Sequence, residues 1–174
     1  MFAAIVSALL APAVLAIDSR EPAPRFRAKT MDGETITNDS IQGKVVLLQF
    51  WATWCQYCKR DMPALESIGH DFSSQGLMIL GVNVGESKKK VKQFLEQSPR
   101  SSKVVLMEDT NLAAVFEAKS FPLYVLIDRN GKLAGTQTGS RGEGSLRHLL
   151  RKAALDSHRD VDDSVELQSS PRRQ

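Results

Sequence analysis

Two long apolar runs, at residues 45–50 and 77–84, dominate the hydrophobic pattern of the chain. Nearly every position in them is apolar, which is typical of strands buried on both faces of a sheet. Between the two runs, residues 58–74 carry apolar side chains at helical spacing. A strand, a helix and a second strand in this order predict parallel strands with a covering helix.

Shorter patterns on either side complete the predicted sheet. Residues 26–29 and 35–37 surround an Asp-Gly turn, and residues 124–127 and 133–138 surround an Asn-Gly turn. Each arrangement predicts a β-hairpin. A further strand is predicted at residues 104–107, with helices at 88–96, 112–116 and 146–155. The alternating middle and the terminal hairpins together predict a mixed α/β sandwich.

The pattern also divides the chain into segments. Residues 1–17 are almost wholly apolar but contain no Lys or Arg, and they are interpreted as a signal peptide or a retained N-terminal anchor. Residues 18–25 carry two prolines and mixed charge, which is typical of a linker. The folded domain is predicted at 26–155, and 156–174 lose all periodicity, which predicts a disordered tail.

Composition narrows the possible functions. The 174 residues suit one domain with a full core, and we expect a monomer. The net charge of +3 lies largely in the lysine-rich run 88–92 and in the last residues. Because no compact basic face is interleaved with aromatic residues, nucleic-acid binding is not expected.

Cys55 and Cys58 are the chain's two cysteines, and they follow the first apolar run directly. A pair at this spacing between a strand and a helix is the arrangement that dithiol exchange needs. Free N–H groups at the helix start stabilise a thiolate, so Cys55 is the expected nucleophile. Cys58 lies one turn later and is expected to be more buried, as the thiol that resolves a mixed disulfide.

Two other interpretations of the cysteine pair are less favoured. A structural zinc site needs about four ligands, and the three histidines lie at spacings unrelated to the pair. A purely structural disulfide usually closes a longer loop, because its entropic stabilisation grows with loop length. A redox-active dithiol therefore remains the main hypothesis.

Residues 50–63, Phe-Trp-Ala-Thr-Trp-Cys-Gln-Tyr-Cys-Lys-Arg-Asp-Met-Pro, resemble the thioredoxin superfamily and, more narrowly, the exported TlpA/ResA-like thiol-disulfide oxidoreductases. The resemblance continues through residues 81–87, through Phe121-Pro122 and through residues 126–132, and it covers about residues 26–155. It implies a thioredoxin-like three-layer sandwich with a mixed central sheet and an N-terminal β-hairpin.

The resemblance also assigns roles around the pair. Pro122, preceded by Phe121, matches the cis-proline that lies beside the dithiol in the superfamily. Trp54 matches an aromatic residue on the partner-facing surface, whereas Trp51 matches another flanking aromatic that is equally well explained by core packing. The resemblance therefore adds Pro122 to the catalytic set and Trp54 and Phe121 to the substrate-facing set.

Other positions depart from the family pattern. Asp61 stands where ResA-like members commonly carry Glu, so it is either a group that tunes the dithiol or a solvated surface carboxylate. Gln49 stands where cytoplasmic thioredoxins have a buried Asp, and it cannot titrate, so a hydrogen-bonding or packing role is expected. Gln56 and Tyr57, between the cysteines, are expected to set the reduction potential and so the direction of exchange.

The resemblance implies an exported, periplasmic enzyme that exchanges its disulfide with cysteine pairs of partner proteins as a reductant. It suggests apocytochrome c as a partner in cytochrome c maturation, an upstream membrane electron donor, and no metal or organic cofactor. Two alternatives share the fold. A peroxiredoxin-like thiol peroxidase normally has Thr or Ser three residues before its cysteine, where this chain has Ala52. A redox-inactive metallochaperone uses a longer cysteine spacing and a nearby His.

Overall fold

A seven-stranded mixed sheet organises the described part of the chain, residues 20–155 of a computed structural model. Within those residues no helix is both long enough and apolar enough to span a membrane. The elements in chain order are β1 Arg27–Thr30, β2 Thr35–Thr37, β3 Val45–Trp51, α1 Gln56–Asp71, a 3₁₀ turn Ser73–Gln75, β4 Leu77–Asn83, α2 Lys88–Gln97, β5 Lys103–Thr110, α3 Leu112–Val115, β6 Leu123–Ile127, β7 Leu133–Thr138 and α4 Glu143–Arg151.

The strands are arranged in the order β2-β1-β5-β4-β3-β6-β7. Strands β3, β4 and β5 are parallel, as the alternation of strands and helices predicts, while β6, β7, β1 and β2 pair antiparallel to their neighbours. Both predicted hairpins are present, as β1–β2 and β6–β7. The predicted mixed α/β sandwich is therefore confirmed.

Strand β3 lies near the middle of the sheet and is buried along its whole length. Because side chains alternate between faces along a strand, Val45 and Leu47 pack with α1 and α4. Val46 and Leu48 pack on the opposite face with the N-terminal segment and α3. A third apolar cluster joins the carboxyl end of β3 to both cysteines and to α2. The two cysteines thus lie at the edge of the apolar core, at the carboxyl end of β3.

The segment predicted as a linker, residues 18–25, is hydrogen-bonded to the hairpin of β6 and β7 through Glu21 and Ala23. The Ala23 amide donates to the Gly131 carbonyl, at 2.9 Å, and the Leu133 amide donates to the Glu21 carbonyl, at 2.8 Å. Ala23 and Phe26 are buried in the core. The predicted signal peptide or anchor at 1–17 and the predicted tail at 156–174 lie outside the described residues.

Several element ends differ from the prediction for identifiable reasons. Strand β5 continues to Thr110 because Thr110 pairs with Ala28 of β1, a partner that the local pattern does not reveal. Helix α4 begins at Glu143, before the apolar stripe starts, since an acidic residue is favourable in the first turn of a helix. Helix α1 begins at Gln56, directly after Cys55.

Candidate active site

The two cysteines lie at the junction of β3 and α1 and form a disulfide, with their Cα atoms 5.2 Å apart. Cys55 is the N-cap residue of α1, and its sulfur accepts a hydrogen bond from the Cys58 amide at 3.1 Å. Cys55 is 5% exposed and Cys58 is 1% exposed. An amide N–H and the helix N-terminus both stabilise negative charge on sulfur. Cys55 is thus placed where its thiolate is favoured in the reduced form.

Exposed aromatic side chains surround the buried disulfide. Trp54 and Tyr57 are 60% and 59% exposed, and the intervening Gln56 is exposed as well. Phe121 packs against the cluster that contains both cysteines, and its ring lies edge-on to Trp54 with the centroids 6.1 Å apart. The guanidinium of Arg60 covers the Tyr57 ring at 4.9 Å. These residues, which we call the aromatic rim, form an apolar surface with one cation beside the disulfide.

The peptide bond between Phe121 and Pro122 is cis, as the resemblance implies. Pro122 is buried at the start of β6, and its carbonyl accepts a hydrogen bond from the Gly139 amide at 2.7 Å. Leu123 pairs with Phe50 near the carboxyl end of β3, and Phe121 packs against the cluster that contains both cysteines, so the cis bond lies at the dithiol end of the sheet. The other flanking aromatic, Trp51, is only 1% exposed and packs against Phe94 with the rings tilted at 47°, which favours core packing for it.

Asp61 is buried, with 3% of its surface exposed, so the interpretation as a solvated surface carboxylate is wrong. Its Oδ2 accepts a hydrogen bond from the Tyr124 hydroxyl at 2.8 Å, and its Oδ1 accepts one from the Ser140 hydroxyl. Since Asp61 follows Cys58 by three residues on α1, the two side chains share one helix face. Two hydroxyl groups therefore hold a carboxylate on the helix face that carries Cys58.

Gln49 has the predicted hydrogen-bonding role. It is fully buried on β3, its Nε2 donates to the Tyr124 hydroxyl at 3.4 Å, and its Oε1 accepts from Arg100 at 2.6 Å. Burial lowers the pKa of Arg100 to about 10, and burial together with the hydrogen bond to Asp61 raises the pKa of Tyr124. At neutral pH, Arg100 is a cation and Tyr124 is protonated.

A second carboxylate, Glu86, holds the loop in front of the cysteines. Its Oε2 accepts from the Thr53 amide at 2.6 Å and from the Asn83 side chain at 2.8 Å. Its Oε1 accepts from the Thr53 hydroxyl at 2.6 Å and pairs with Lys90 at 2.7 Å. Burial opposes ionisation, but these donors outweigh it and lower the pKa of Glu86 to about 2. Glu86 is therefore a fixed anion at physiological pH.

The site differs from those of the two alternative functions. The Thr53 hydroxyl donates to Glu86, and position 52 is Ala, so neither residue offers the hydroxyl that a peroxidatic cysteine uses. Among residues 20–155, no three His, Cys, Asp or Glu side chains are grouped so that they could hold a metal ion. The arrangement of groups matches thiol-disulfide exchange.

Four residues of the site were not found from the sequence, namely Tyr124, Ser140, Arg100 and Glu86. Tyr124 resembles any apolar strand residue, and Ser140 and Arg100 lie in connections without a motif. Glu86 lies within the family-like stretch 81–87, but the sequence indicated no role for it. Its position directly after β4, the parallel neighbour of the strand that leads to Cys55, is the one clue to its role.

Comparisons with known proteins agree with this chemistry. The profile of the AhpC/TSA family matches residues 20–136. The thiol-disulfide oxidoreductase ResA of Bacillus subtilis is 34% identical over 134 residues, covering 77% of this chain and 75% of that protein. ResA of Geobacillus thermodenitrificans is 32% identical over 128 residues, covering 74% of each chain. Sequence similarity therefore covers about three quarters of this chain.

Solved structures show the same fold. A thiol:disulfide interchange protein from Chlorobium tepidum, described as a thioredoxin family protein, superposes with a TM-score of 0.67 at 25% identity, covering 77% of this chain and 96% of that chain. StoA from Bacillus subtilis superposes with a TM-score of 0.63 at 24% identity, over 74% and 97%. The chain therefore belongs to the AhpC/TSA family, has a thioredoxin-like fold, and is a thiol-disulfide oxidoreductase similar to the ResA proteins.

Proposed function

We propose that the protein is an exported reductant of disulfides in partner proteins, with Cys55 as the nucleophile and Cys58 as the resolving thiol. The observation that carries this proposal is the position of Cys55, which caps α1 and accepts the Cys58 amide hydrogen bond. Helix N-termini lower thiol pKa values, and the thiolate is the species that attacks a disulfide. Cys58 lies deeper, behind Cys55.

The exchange takes place in two balanced steps. The Cys55 thiolate attacks one sulfur of a partner disulfide, which forms a mixed disulfide and releases one partner thiolate. Cys58 then loses its proton and attacks the Cys55 sulfur, which closes the Cys55–Cys58 disulfide and releases the second partner thiolate. Two electrons pass to the partner, and a thiol donor must reduce the protein again. Asp61, on the same helix face, takes the Cys58 proton.

The surrounding residues have partner-facing roles in this proposal. Trp54 and Tyr57 offer exposed aromatic surface to the partner chain, and Gln56 lies between them. Phe121 and the cis bond to Pro122 present backbone to the same partner. Because the residues between the cysteines affect the reduction potential, Gln56 and Tyr57 tune the direction of exchange.

The reductive direction and the physiological partners rest on the TlpA/ResA-like resemblance. We expect the protein to work outside the cytosol, in the periplasm or its equivalent, as a monomer that is exported or anchored through residues 1–17. Its partners are thiol proteins, with apocytochrome c in cytochrome c maturation as the specific candidate, and a membrane electron donor restores the dithiol. The redox-active disulfide serves as the electron carrier without a separate cofactor.

A trapping experiment tests the mechanism. The Cys58→Ser variant retains the nucleophile but cannot resolve, so a disulfide-containing substrate such as insulin should accumulate as a covalent adduct through Cys55. The matched Cys55→Ser variant should accumulate far less. Equal trapping by both variants, or trapping by neither, would overturn the assignment of the two roles.

The reduction potential tests the direction separately. The Cys55–Cys58 couple is equilibrated with a glutathione redox series, and the dithiol fraction is measured by alkylation and mass spectrometry. A reductant should give a value near that of thioredoxin, about −270 mV. A value near about −120 mV, typical of a strong oxidant, would reverse the proposed direction while leaving the exchange mechanism intact.

A further inference from the structure

A chain of hydrogen bonds, buried except where it begins at Arg100, runs along one face of the sheet from Arg100 to Asp61. Arg100, which follows α2, donates to Gln49 on β3 at 2.6 Å. Gln49 donates to the hydroxyl of Tyr124 on β6 at 3.4 Å, and Tyr124 donates to Asp61 on α1 at 2.8 Å. Gln49 and Tyr124 face each other in the β3–β6 register. The chain, which we call the Arg100–Asp61 relay, ends on the face of α1 that carries Cys58.

The donor and acceptor groups of its members fix the direction of each hydrogen bond in the Arg100–Asp61 relay. A guanidinium can only donate hydrogen bonds, so the Gln49 carbonyl oxygen faces Arg100 and the Gln49 amide group faces Tyr124. Tyr124 accepts from that amide, and its single proton is therefore donated to Asp61. Burial and the bond to Asp61 raise the pKa of Tyr124, so it remains a donor over the pH range in which thiols titrate.

We propose that Tyr124, oriented by Gln49 and Arg100, is a positioning residue that holds the Asp61 carboxylate in the orientation needed to accept the Cys58 proton. The inference rests on the proton-accepting role of Asp61 proposed above. With Tyr124 on Oδ2 and Ser140 on Oδ1, each carboxylate oxygen has one hydroxyl donor. Fixing a base by its surroundings reduces the cost of reaching a productive geometry.

The cost of burying Arg100 argues against a role in stability alone. Its Nε and Nη1 have no hydrogen-bond partner among the described residues. The guanidinium lies over the Trp51 ring at 4.6 Å, and its charge interacts with that of Glu66 on α1. Burying a charge in this way costs free energy, and an apolar side chain of similar volume often stabilises a fold equally well. The polar relay therefore has a use besides stability.

The titratable and charged groups around Asp61 come from several elements. Tyr124 faces it from β6, and the Cys55–Cys58 disulfide lies at the start of its own helix. Arg60, also on α1, is bonded to Ser140 at 3.2 Å and so reaches Asp61 through that hydroxyl. Arg100 acts through Gln49 and interacts electrostatically with Glu66 on the surface of α1. The pH dependence of the site reflects this whole set.

Rapid mixing with an aromatic disulfide tests the proposal. Reduced protein releases one coloured thiolate when Cys55 attacks and a second when Cys58 resolves, so the two steps appear as separate phases. In Tyr124→Phe, the second phase should slow about 10-fold at about pH 6. It should converge with the wild-type rate at about pH 9.5, where thiols ionise unaided. The first phase should be unchanged.

Three further variants keep the test decisive. Arg100→Met removes the first donor and should slow the second phase about 3-fold at about pH 6. The Asp61→Asn/Tyr124→Phe double variant should be no slower than Asp61→Asn alone, because Tyr124 acts through Asp61. Thr30→Val removes a buried hydroxyl on β1, distant from the dithiol in the strand order, and should leave both phases unchanged at every pH.

These experiments distinguish the positioning role of Tyr124 from the proton-accepting role of Asp61. If Tyr124→Phe leaves the second phase unchanged, or slows it equally at all pH values, the positioning role is wrong. If Asp61→Asn itself leaves the pH profile unchanged, the proton-accepting role fails, and the positioning role fails with it. If Asp61→Asn slows the second phase while Tyr124→Phe does not, Asp61 keeps its proton-accepting role and only the positioning role of Tyr124 is wrong.

Discussion

Two buried carboxylates flank the dithiol, and they are held in different ways. Glu86 is bonded to the Lys90 ammonium, a side-chain amide, a backbone N–H and a hydroxyl. Asp61 is bonded to two hydroxyl groups, those of Tyr124 and Ser140. The donors of Glu86 compensate its negative charge and fix a loop. The donors of Asp61 orient the carboxylate with no direct cation contact among the described residues.

The difference in bonding is consistent with a structural role for Glu86 and a chemical role for Asp61. Glu86 is paired with one cation and accepts hydrogen bonds from three further donors, so it stays ionised at neutral pH. Asp61, whose partners are hydroxyl groups, lies one turn along α1 from Cys58 and is bonded to no cation among the described residues. This contrast supports the proposal that Glu86 anchors the active-site loop and that Asp61 takes part in proton transfer.

The largest expected effect comes from removing the proton acceptor. Asp61→Asn should lower the rate of insulin reduction about 100-fold at about pH 6, with recovery toward the wild-type rate at about pH 9.5. Asp109→Asn, which changes an exposed carboxylate on β5, is the control and should have no effect. A faster reaction in Asp61→Asn at low pH would mean that the carboxylate merely repels the thiolate.

The next largest effect should be on stability. Glu86→Gln leaves Lys90 and Thr53 without their charged acceptor, and it should lower the free energy of unfolding by about 2 kcal/mol at neutral pH. Urea denaturation of the oxidised protein measures this loss. The pH profile of disulfide exchange should keep its wild-type shape. A profile altered as in Asp61→Asn would remove the distinction between the carboxylates.

Acid titration of stability sharpens the comparison further. The pKa of Glu86 is lowered from 4.5 to about 2 in the folded protein, so its contribution is present above 4.5 and is lost as the pH falls toward 2. The wild-type protein should therefore lose stability across this interval, and Glu86→Gln should lose less. Denaturation curves at a series of pH values measure both slopes. Equal slopes would show that Glu86 titrates alike in the folded and unfolded states.

The smallest effect concerns the cation that pairs with Glu86. The Lys90 side chain is half exposed, and Lys90→Met should cost about 0.5 kcal/mol because solvent screens the ion pair. Lys89→Met, on the exposed lysine-rich face, should cost less and serves as the control. A loss as large as that of Glu86→Gln would indicate that Lys90, rather than Thr53 and Asn83, is the main partner of Glu86.

The same comparison shows what the sequence could predict. The apolar runs were sufficient to predict strands β3 and β4, and the turn residues were sufficient to predict both hairpins. The position of the cysteine pair between a strand and a helix was predicted in the same way, because all of these depend on local spacing. Because Asp61 follows Cys58 by three residues, the sequence also indicated that the two side chains share one face of a helix. The burial of Asp61 was not predictable, since Tyr124 and Ser140 come from far along the chain.

The other polar contacts could not be predicted from the sequence either, because they depend on long-range strand pairing. Gln49 and Tyr124 meet because β6 lies antiparallel beside β3, and Glu86 reaches Thr53 because β4 runs parallel to β3 on the other side. Periodicity reveals which residues of a strand are buried but not which strand lies next to it. Residues whose roles depend on strand order were therefore the ones that the sequence left unassigned.

The resolving step is the most direct place to test the role of Asp61. Reduced wild-type, Asp61→Asn and Glu86→Gln proteins are mixed with the aromatic disulfide at about pH 6, and the two phases of thiolate release are timed. If Asp61 takes the Cys58 proton, Asp61→Asn slows only the second phase, and Glu86→Gln follows the wild type in both. Slowing of the second phase in Glu86→Gln but not in Asp61→Asn would contradict the roles assigned to the two carboxylates.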